Sequence, residues 1–206
     1  MKILFYGFGN IAIRHFESLS TIEGIEEYYF FDKNLKKAKL IKKRYKDLKI
    51  KLIKNIDSLK KTNFFLIINS TTANCRYAIL QKIKKLNPEN VLVEKILEND
   101  ISNLRLMKKE KYVNFYVNFP YRMTAIFKLL KKKINFKNVI KFKVKTINWN
   151  LASNSIHYID FFSYIFKKNP HKIYCKNLKK FRSKRIGYVD FEGKILANFK
   201  NFKLEI

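Results

Sequence analysis

Lys2-Ile3-Leu4-Phe5-Tyr6-Gly7-Phe8-Gly9-Asn10-Ile11-Ala12 reads as a buried strand that breaks into a glycine turn and passes at once into a helix. The spacing is Gly-x-Gly-x-x-Ala, the dinucleotide fingerprint in the setting it requires, with a strand before it and a helix after. Gly7 permits the tight turn, and Gly9 has no Cβ to hold the backbone away from a pyrophosphate. Ala12 lets the helix lie close against the strand. The amides at Asn10 and Ile11 open the helix, whose positive end favours phosphate. A second apolar run, Tyr28-Tyr29-Phe30-Phe31, ends in Asp32. That acid lies 23 residues beyond Gly9, close to the ~20 at which such an acid binds ribose hydroxyls.

Outward from this start the chain alternates strand and helix. Asn34 caps a helix running to residue 45. A short strand over 50–53 leads to a brief helix around Asp57, and a continuous apolar strand over 64–68 follows. That strand ends in the polar loop Asn69-Ser70-Thr71-Thr72, which opens a helix over 73–86 broken by Asn87-Pro88-Glu89. Strand 91–93 delivers Glu94-Lys95, and a helix over 102–109 and a strand over 112–117 complete the pattern. This rhythm predicts an α/β fold, a Rossmann doubly wound parallel sheet occupying residues 1–118. Ligands bind at the carboxyl ends of such strands, where Gly7, Asp32, Ser70 and Lys95 all fall.

From residue 119 the rhythm changes. A basic helix over 121–133 precedes Val139-Ile140-Lys141-Phe142-Lys143-Val144-Lys145, whose apolar/basic alternation predicts a half-exposed antiparallel strand. A helix over 153–167 follows, then strands over 173–174, 186–191, 194–199 and 202–206, with a hairpin at Glu192-Gly193. The expectation is a smaller α+β domain over 119–206, mainly antiparallel, holding substrate and any homo-oligomer contact.

With 206 residues the chain has room for one large or two small domains. A hydrophobic share of 47% supports a packed core and excludes disorder. No apolar run approaches the ~18 residues of a membrane span, and the N-terminus is not built like a signal peptide. Cys75 and Cys175 are far apart and offer neither a metal spacing nor a disulfide framework. The expected setting is cytoplasmic, with no membrane partner and no metal. The formal charge of +29 comes from lysines spread along the whole chain among Asn, Ile, Phe and Tyr. That is a compositional drift rather than a motif, so no specific nucleic-acid partner is expected, only adhesion to polyanions at low salt.

Four stretches, taken in order, resemble the Gfo/Idh/MocA family of NAD(P)-dependent oxidoreductases. They are Gly7 to Ala12 followed by Arg14-His15, Ile67 to Asn74, Val91-Leu92-Val93-Glu94-Lys95, and Ser153-Asn154-Ser155-Ile156-His157-Tyr158-Ile159-Asp160. Tyr121-Arg122 also fits. The chain departs from the family pattern at Ile96 and Thr71, where proline is usual, at Cys75, and at Ser153, where many members carry an acid. It ends at Ile206, where members continue through a larger sheet, and so reads as a short or C-terminally truncated member.

The resemblance implies a hydride transfer between nicotinamide and a sugar or nucleotide-sugar, in carbohydrate or surface-polysaccharide synthesis. NAD is the expected cofactor, because Asp32 repels a 2′-phosphate. NADP is the alternative, since Lys33 and Lys36 offset that repulsion. Gly7, Gly9, Asn10, Ile11 and Asp32 would hold the cofactor. The resemblance adds Ser70 and Thr71 beneath the nicotinamide, Glu94 on its ribose, and Lys95 beside the reacting carbon to stabilise an alkoxide. His157 is the candidate base, since imidazole titrates near working pH. Asn154, His157 and Asp160 fall on one helix face, so Asp160 would fix the imidazole tautomer and Asn154 would bind a substrate hydroxyl. The same spacing suits a packed histidine tied to Asp160. Arg122 would meet an anionic substrate group or stand solvated at a helix start. The competing reading is a catalytically inactive nucleotide-binding remnant acting as a sensor or partner protein.

Overall fold

Strand β1 (Lys2–Tyr6) is buried on both faces, which is why it reads as an unbroken apolar run. Ile3 and Phe5 enter one core layer, with Phe8, Ala12 and Phe16 of the turn and first helix. Leu4 and Tyr6 enter the other, with Leu80, Ile83 and Met107. The computed structural model describes residues 1–110, 114–136, 138–146, 149–183 and 187–206. These form two units, Met1–Asn118 and Phe119–Ile206.

In the first unit β1 is followed by α1 (Asn10–Leu19), β2 (Glu27–Phe31), α2 (Lys36–Arg44), β3 (Ile50–Ile53), β4 (Leu66–Asn69), α3 (Arg76–Lys84), β5 (Asn90–Glu94), α4 (Ile101–Lys109) and β6 (Asn114–Asn118). All six strands pair in parallel in the order β3-β2-β1-β4-β5-β6. The strand order reverses between β1 and β4, so the switch point lies beside the glycine turn. Phe8, the residue between the two glycines, stacks on Phe30 at 3.9 Å and fixes the turn to the sheet.

The second unit carries α5 (Ala125–Lys133), β7 (Lys141–Lys143), α6 (Leu151–Phe166), β8 (Lys172–Arg182), β9 (Val189–Phe199) and β10 (Phe202–Glu205). Its sheet runs β7-β10-β9-β8 and is antiparallel except for the β7/β10 pair. Phe161 and Phe162 of α6 pack on Ala197, Phe202 and Leu204. The fold class is the one the sequence predicts, an α/β unit with a doubly wound sheet and a smaller α+β unit.

Several elements differ from expectation. The helix over 73–86 opens as a 3-10 turn, Ala73–Cys75, before α3. The helix over 121–133 splits, because Thr124 is extended and its hydroxyl bonds back to the Tyr121 carbonyl at 2.9 Å. The strand over 139–145 shrinks to three residues and runs parallel to β10 rather than antiparallel. No hairpin forms at Glu192-Gly193, since β9 runs straight through both residues. Gly193 (φ +137°) instead faces an irregularity in β8, where a Cβ would come within 2.8 Å of the Asn177 carbonyl oxygen. The glycine serves a close backbone approach, not a turn. Residues 112 and 113 of one expected strand and 186 of another lie outside the described residues.

Candidate functional site

Strand register builds the first cluster. Tyr6 pairs with Phe31 and with Asn69, and Asn69 pairs with Val93. The residues that follow these four, Gly7, Asp32, Ser70 and Glu94, therefore emerge side by side at one edge of the sheet. Gly7 (φ +86°) donates to the Phe31 carbonyl at 2.8 Å. A Cβ on Gly7 would lie 2.9 Å from Thr71 Cγ2, so the turn presses against the loop after β4. At Gly9 the same test finds nothing within 4 Å. That position faces open space ahead of α1.

Asp32 is tied into this turn. Its Oδ2 accepts the Phe8 amide at 2.6 Å and its Oδ1 the Asn34 amide at 2.7 Å. Asn34 in turn accepts the Lys36 amide at 3.0 Å, in a turn one residue ahead of the cap position of α2, which falls on Leu35 and not on Asn34 as the sequence predicts. Lys37 reaches from α2 to the side-chain oxygen of Asn10, the first residue of α1. Sequence reasoning named Lys33 and Lys36 here and missed Lys37, which only the packing of α2 on α1 reveals.

On the other side of β1, Asn69 Oδ1 accepts both the amide (3.2 Å) and the hydroxyl (2.6 Å) of Thr71. The Asn69 Nδ2 and Ser70 Oγ atoms are buried and have no hydrogen-bond partner among the described residues. Arg76, 4% exposed, donates twice to the Thr71 carbonyl and once to that of Ile96, bracing the loops after β4 and β5 against each other. The Lys95–Ile96 peptide is cis. Glu94 is buried and accepts from His15 at 2.7 Å and Asn118 at 2.6 Å. Burial pushes its carboxyl up, but hydrogen bonds from His15 and Asn118 and the charges of His15 and Arg76 outweigh that and hold it below its ordinary value. Arg76 and Asn118 were not singled out in the sequence. Their spacing to partners is set by the sheet and carries no local motif.

The second cluster lies in the second unit. His157 is 6% exposed and its ring stacks on Tyr121 at 4.4 Å. The buried residues of α6 are Leu151, Ser155, His157, Phe161 and Phe162, so the histidine stands on the packed side of the helix. Asp160 accepts from Arg122 through both carboxylate oxygens, at 3.0 Å from Nε and in a closer contact with the terminal nitrogen. Arg122 also lies over the Tyr164 ring at 5.2 Å. The structure thus joins Arg122 to Asp160, two residues assigned separate roles from the sequence. Asn154 is half-buried one turn before His157 on α6. Ser153 donates to Asp190, a buried carboxylate that also accepts the Ala152 amide at 2.8 Å and so caps α6. Among the described residues no group of three metal-ligating side chains forms, and no helix is long and apolar enough to cross a membrane.

An unfilled Cβ direction at Gly9, an α1 N-terminus beside it and orphaned polar atoms at Asn69 and Ser70 fit a dinucleotide lying across the sheet edge. No family profile matches the chain, and no curated protein matches it in sequence. Its fold is similar to those of several solved proteins. One is a probable dehydrogenase from Thermotoga maritima (18% identity, TM-score 0.75), covering all of this chain and 68% of its own. An oxidoreductase from Bacillus cereus (16%, 0.73) is covered over 63% of its length, again with all of this chain matched. GenD2 of gentamicin A biosynthesis, solved in complex with NAD (15%, 0.75), is covered over 64% and likewise matches all of this chain. At these identities the likeness is one of fold, and the chain spans less than two thirds of the Bacillus cereus and GenD2 chains.

Proposed function

We propose that this protein binds a nicotinamide dinucleotide and acts as an oxidoreductase of the Gfo/Idh/MocA type on a sugar or nucleotide-sugar. The observation that carries the reading is the shared register of Gly7, Asp32, Ser70 and Glu94, with the Gly9 approach left open. Asn10 and Ile11 would present helix amides to the pyrophosphate, and Asp32 would accept from the adenosine ribose. Ser70 and Thr71 would lie beneath the nicotinamide, and Glu94 would accept from its ribose. The bound cofactor would supply the hydride acceptor.

In this reading Lys95 stabilises negative charge developing on the substrate oxygen, and His157 takes the hydroxyl proton. Tyr121, stacked on the imidazole, fixes the ring plane. Asp160 fixes the Arg122 guanidinium, which would face an anionic substrate group, and Asn154 would bind a hydroxyl. Folds similar to oxidoreductases, one of them solved with NAD, support the assignment. The alternative is a nucleotide-binding protein without turnover. It is favoured by Asp160, whose two oxygens are both engaged by Arg122.

The test is a fluorescence titration with NADH and NADPH in enough salt to screen the lysines, followed by a sugar-substrate screen. Saturable binding that Gly9→Val removes, with turnover in the screen, supports the enzyme. Binding without turnover on any substrate supports the alternative, and no binding overturns both.

A further inference from the structure

Lysines that look scattered along the second unit are gathered by strand register. Lys203 pairs with Lys141 and with Asn198, and Asn198 with Lys172. Glu205 pairs with Lys143 and with Leu196, Leu196 with Tyr174, and Lys194 with Lys176. Cross-strand partners share a sheet face. The intervening residues, Phe142, Leu204, Ala197 and Phe199 among them, turn the other way into the core under α6. Over β7, β10 and residues 195–199 of β9 that face is therefore apolar and packed. At the register positions named above, the other face carries six exposed lysines around Glu205.

Glu205 is nearly buried at the centre of this face and pairs with Lys141 at 2.7 Å and Lys143 at 3.3 Å. It organises the lysines without cancelling them. The half-buried ring of Tyr174 lies 5.6 Å from the Lys172 ammonium and 5.9 Å from that of Lys176. Positions on this face recur about every 7 Å along a strand and about 5 Å between strands. A second copy is a poor occupant, since two such faces would press like charges together. A lipid surface is also a poor one, since Leu196 is the one aliphatic side chain among these positions. A flexible polyanion with flat bases matches both the charge lattice and the aromatic ring.

We propose that this sheet face binds single-stranded nucleic acid without sequence preference, phosphates on Lys141, Lys143, Lys172, Lys176, Lys194 and Lys203 and a base stacked on Tyr174. The whole protein is basic, so the experiment separates the face from net charge. Anisotropy of a labelled oligouridylate is followed across a salt series for the full chain and for two triple variants of equal charge. One is Lys172→Glu/Lys176→Glu/Lys203→Glu on the face. The other is Lys39→Glu/Lys42→Glu/Lys43→Glu on the exposed side of α2.

The face variant is expected to lose at least about tenfold in affinity, and its log–log salt slope to fall by about 2, near 0.7 per lysine for a single strand. The α2 variant changes much less, and Tyr174→Ala loses about tenfold. Circular dichroism melts confirm folding, and the corresponding Lys→Gln triple replaces the Glu triple if that one melts early. Equal losses from both triples would mean that binding follows overall charge, and would overturn the proposal. So would tighter binding to phosphatidylglycerol vesicles than to the oligonucleotide.

Discussion

His15 and Glu94, 79 residues apart in sequence, meet through a 2.7 Å hydrogen bond that ties α1 to the end of β5. Asn118 adds a second donor to the same carboxylate oxygen from β6. Three elements of the first unit are thereby joined at the edge where the cofactor is proposed to lie.

His15→Ala leaves this buried carboxylate with one side-chain donor, at a cost of about 1.5–3 kcal/mol. The pH dependence has a definite sign. A carboxyl held below its ordinary value in the folded state stabilises the protein above its unfolded value and loses that contribution as pH falls through the folded one. Without His15 the folded value rises, so acid destabilisation sets in at higher pH. Thermal melts of both proteins from neutral to acid pH check this, and superimposable acid limbs would refute it.

The two glycines of the turn separate stability from binding. A side chain on Gly7 meets Thr71 and demands a strained positive φ, so Gly7→Ala lowers stability by about 1–3 kcal/mol. A Cβ at Gly9 meets no protein atom within 4 Å, so Gly9→Val is expected to keep the melting temperature near the parent value. Its branched side chain fills the approach to α1, so NADH affinity falls at least about tenfold. Melts and NADH titrations on the same samples distinguish the two effects.

At the opposite end of β2, Glu27 accepts from Lys51 at 3.0 Å and from Tyr29, and pairs with Lys49 at 2.5 Å. Hydrogen bonds from Lys49, Tyr29 and Lys51 hold its carboxyl down to about 2. This stabilisation is complete above the unfolded value near 4.3 and disappears as pH falls toward about 2. Glu27→Gln lowers the melting temperature at neutral pH, on the order of 5 °C, and the gap closes in strong acid. A gap independent of pH would assign the loss to packing.

Much of the first unit is legible because parallel strands buried on both faces must be apolar throughout, and glycine and proline punctuate them. The second unit is less legible. Lys176 to Lys180 carry no strand pattern and become β8 through pairing with β9. Gly193 looks like a turn residue, but only the β8 irregularity explains why the chain needs a glycine there. The candidate site residues named from the sequence all sit in local motifs. Arg76, Lys37 and Asn118 do not, because their partners lie 5 to 27 residues away and are chosen by packing.

The assignment of His157 predicts a split between turnover and binding. His157→Ala removes the proton acceptor, so kcat falls by about 10²–10⁴ on whatever sugar the screen identifies. NADH affinity, read by fluorescence on the same protein, stays within about twofold. Loss of NADH binding in this variant would remove the histidine from its catalytic role.

Lys37 predicts which dinucleotide the site accepts. Asp32 has both oxygens engaged by backbone amides, and the Lys37 ammonium is held on Asn10 at the start of α1. An ammonium there offsets the Asp32 charge that would otherwise reject a 2′-phosphate, so NADPH should bind alongside NADH. Lys37→Glu reverses the local charge. NADPH affinity falls at least about tenfold and NADH affinity several-fold less, because NADPH carries the additional phosphate. Equal losses would place Lys37 on the shared pyrophosphate instead. Unchanged titrations for both would show that its bond to Asn10 serves only to hold α2 against α1.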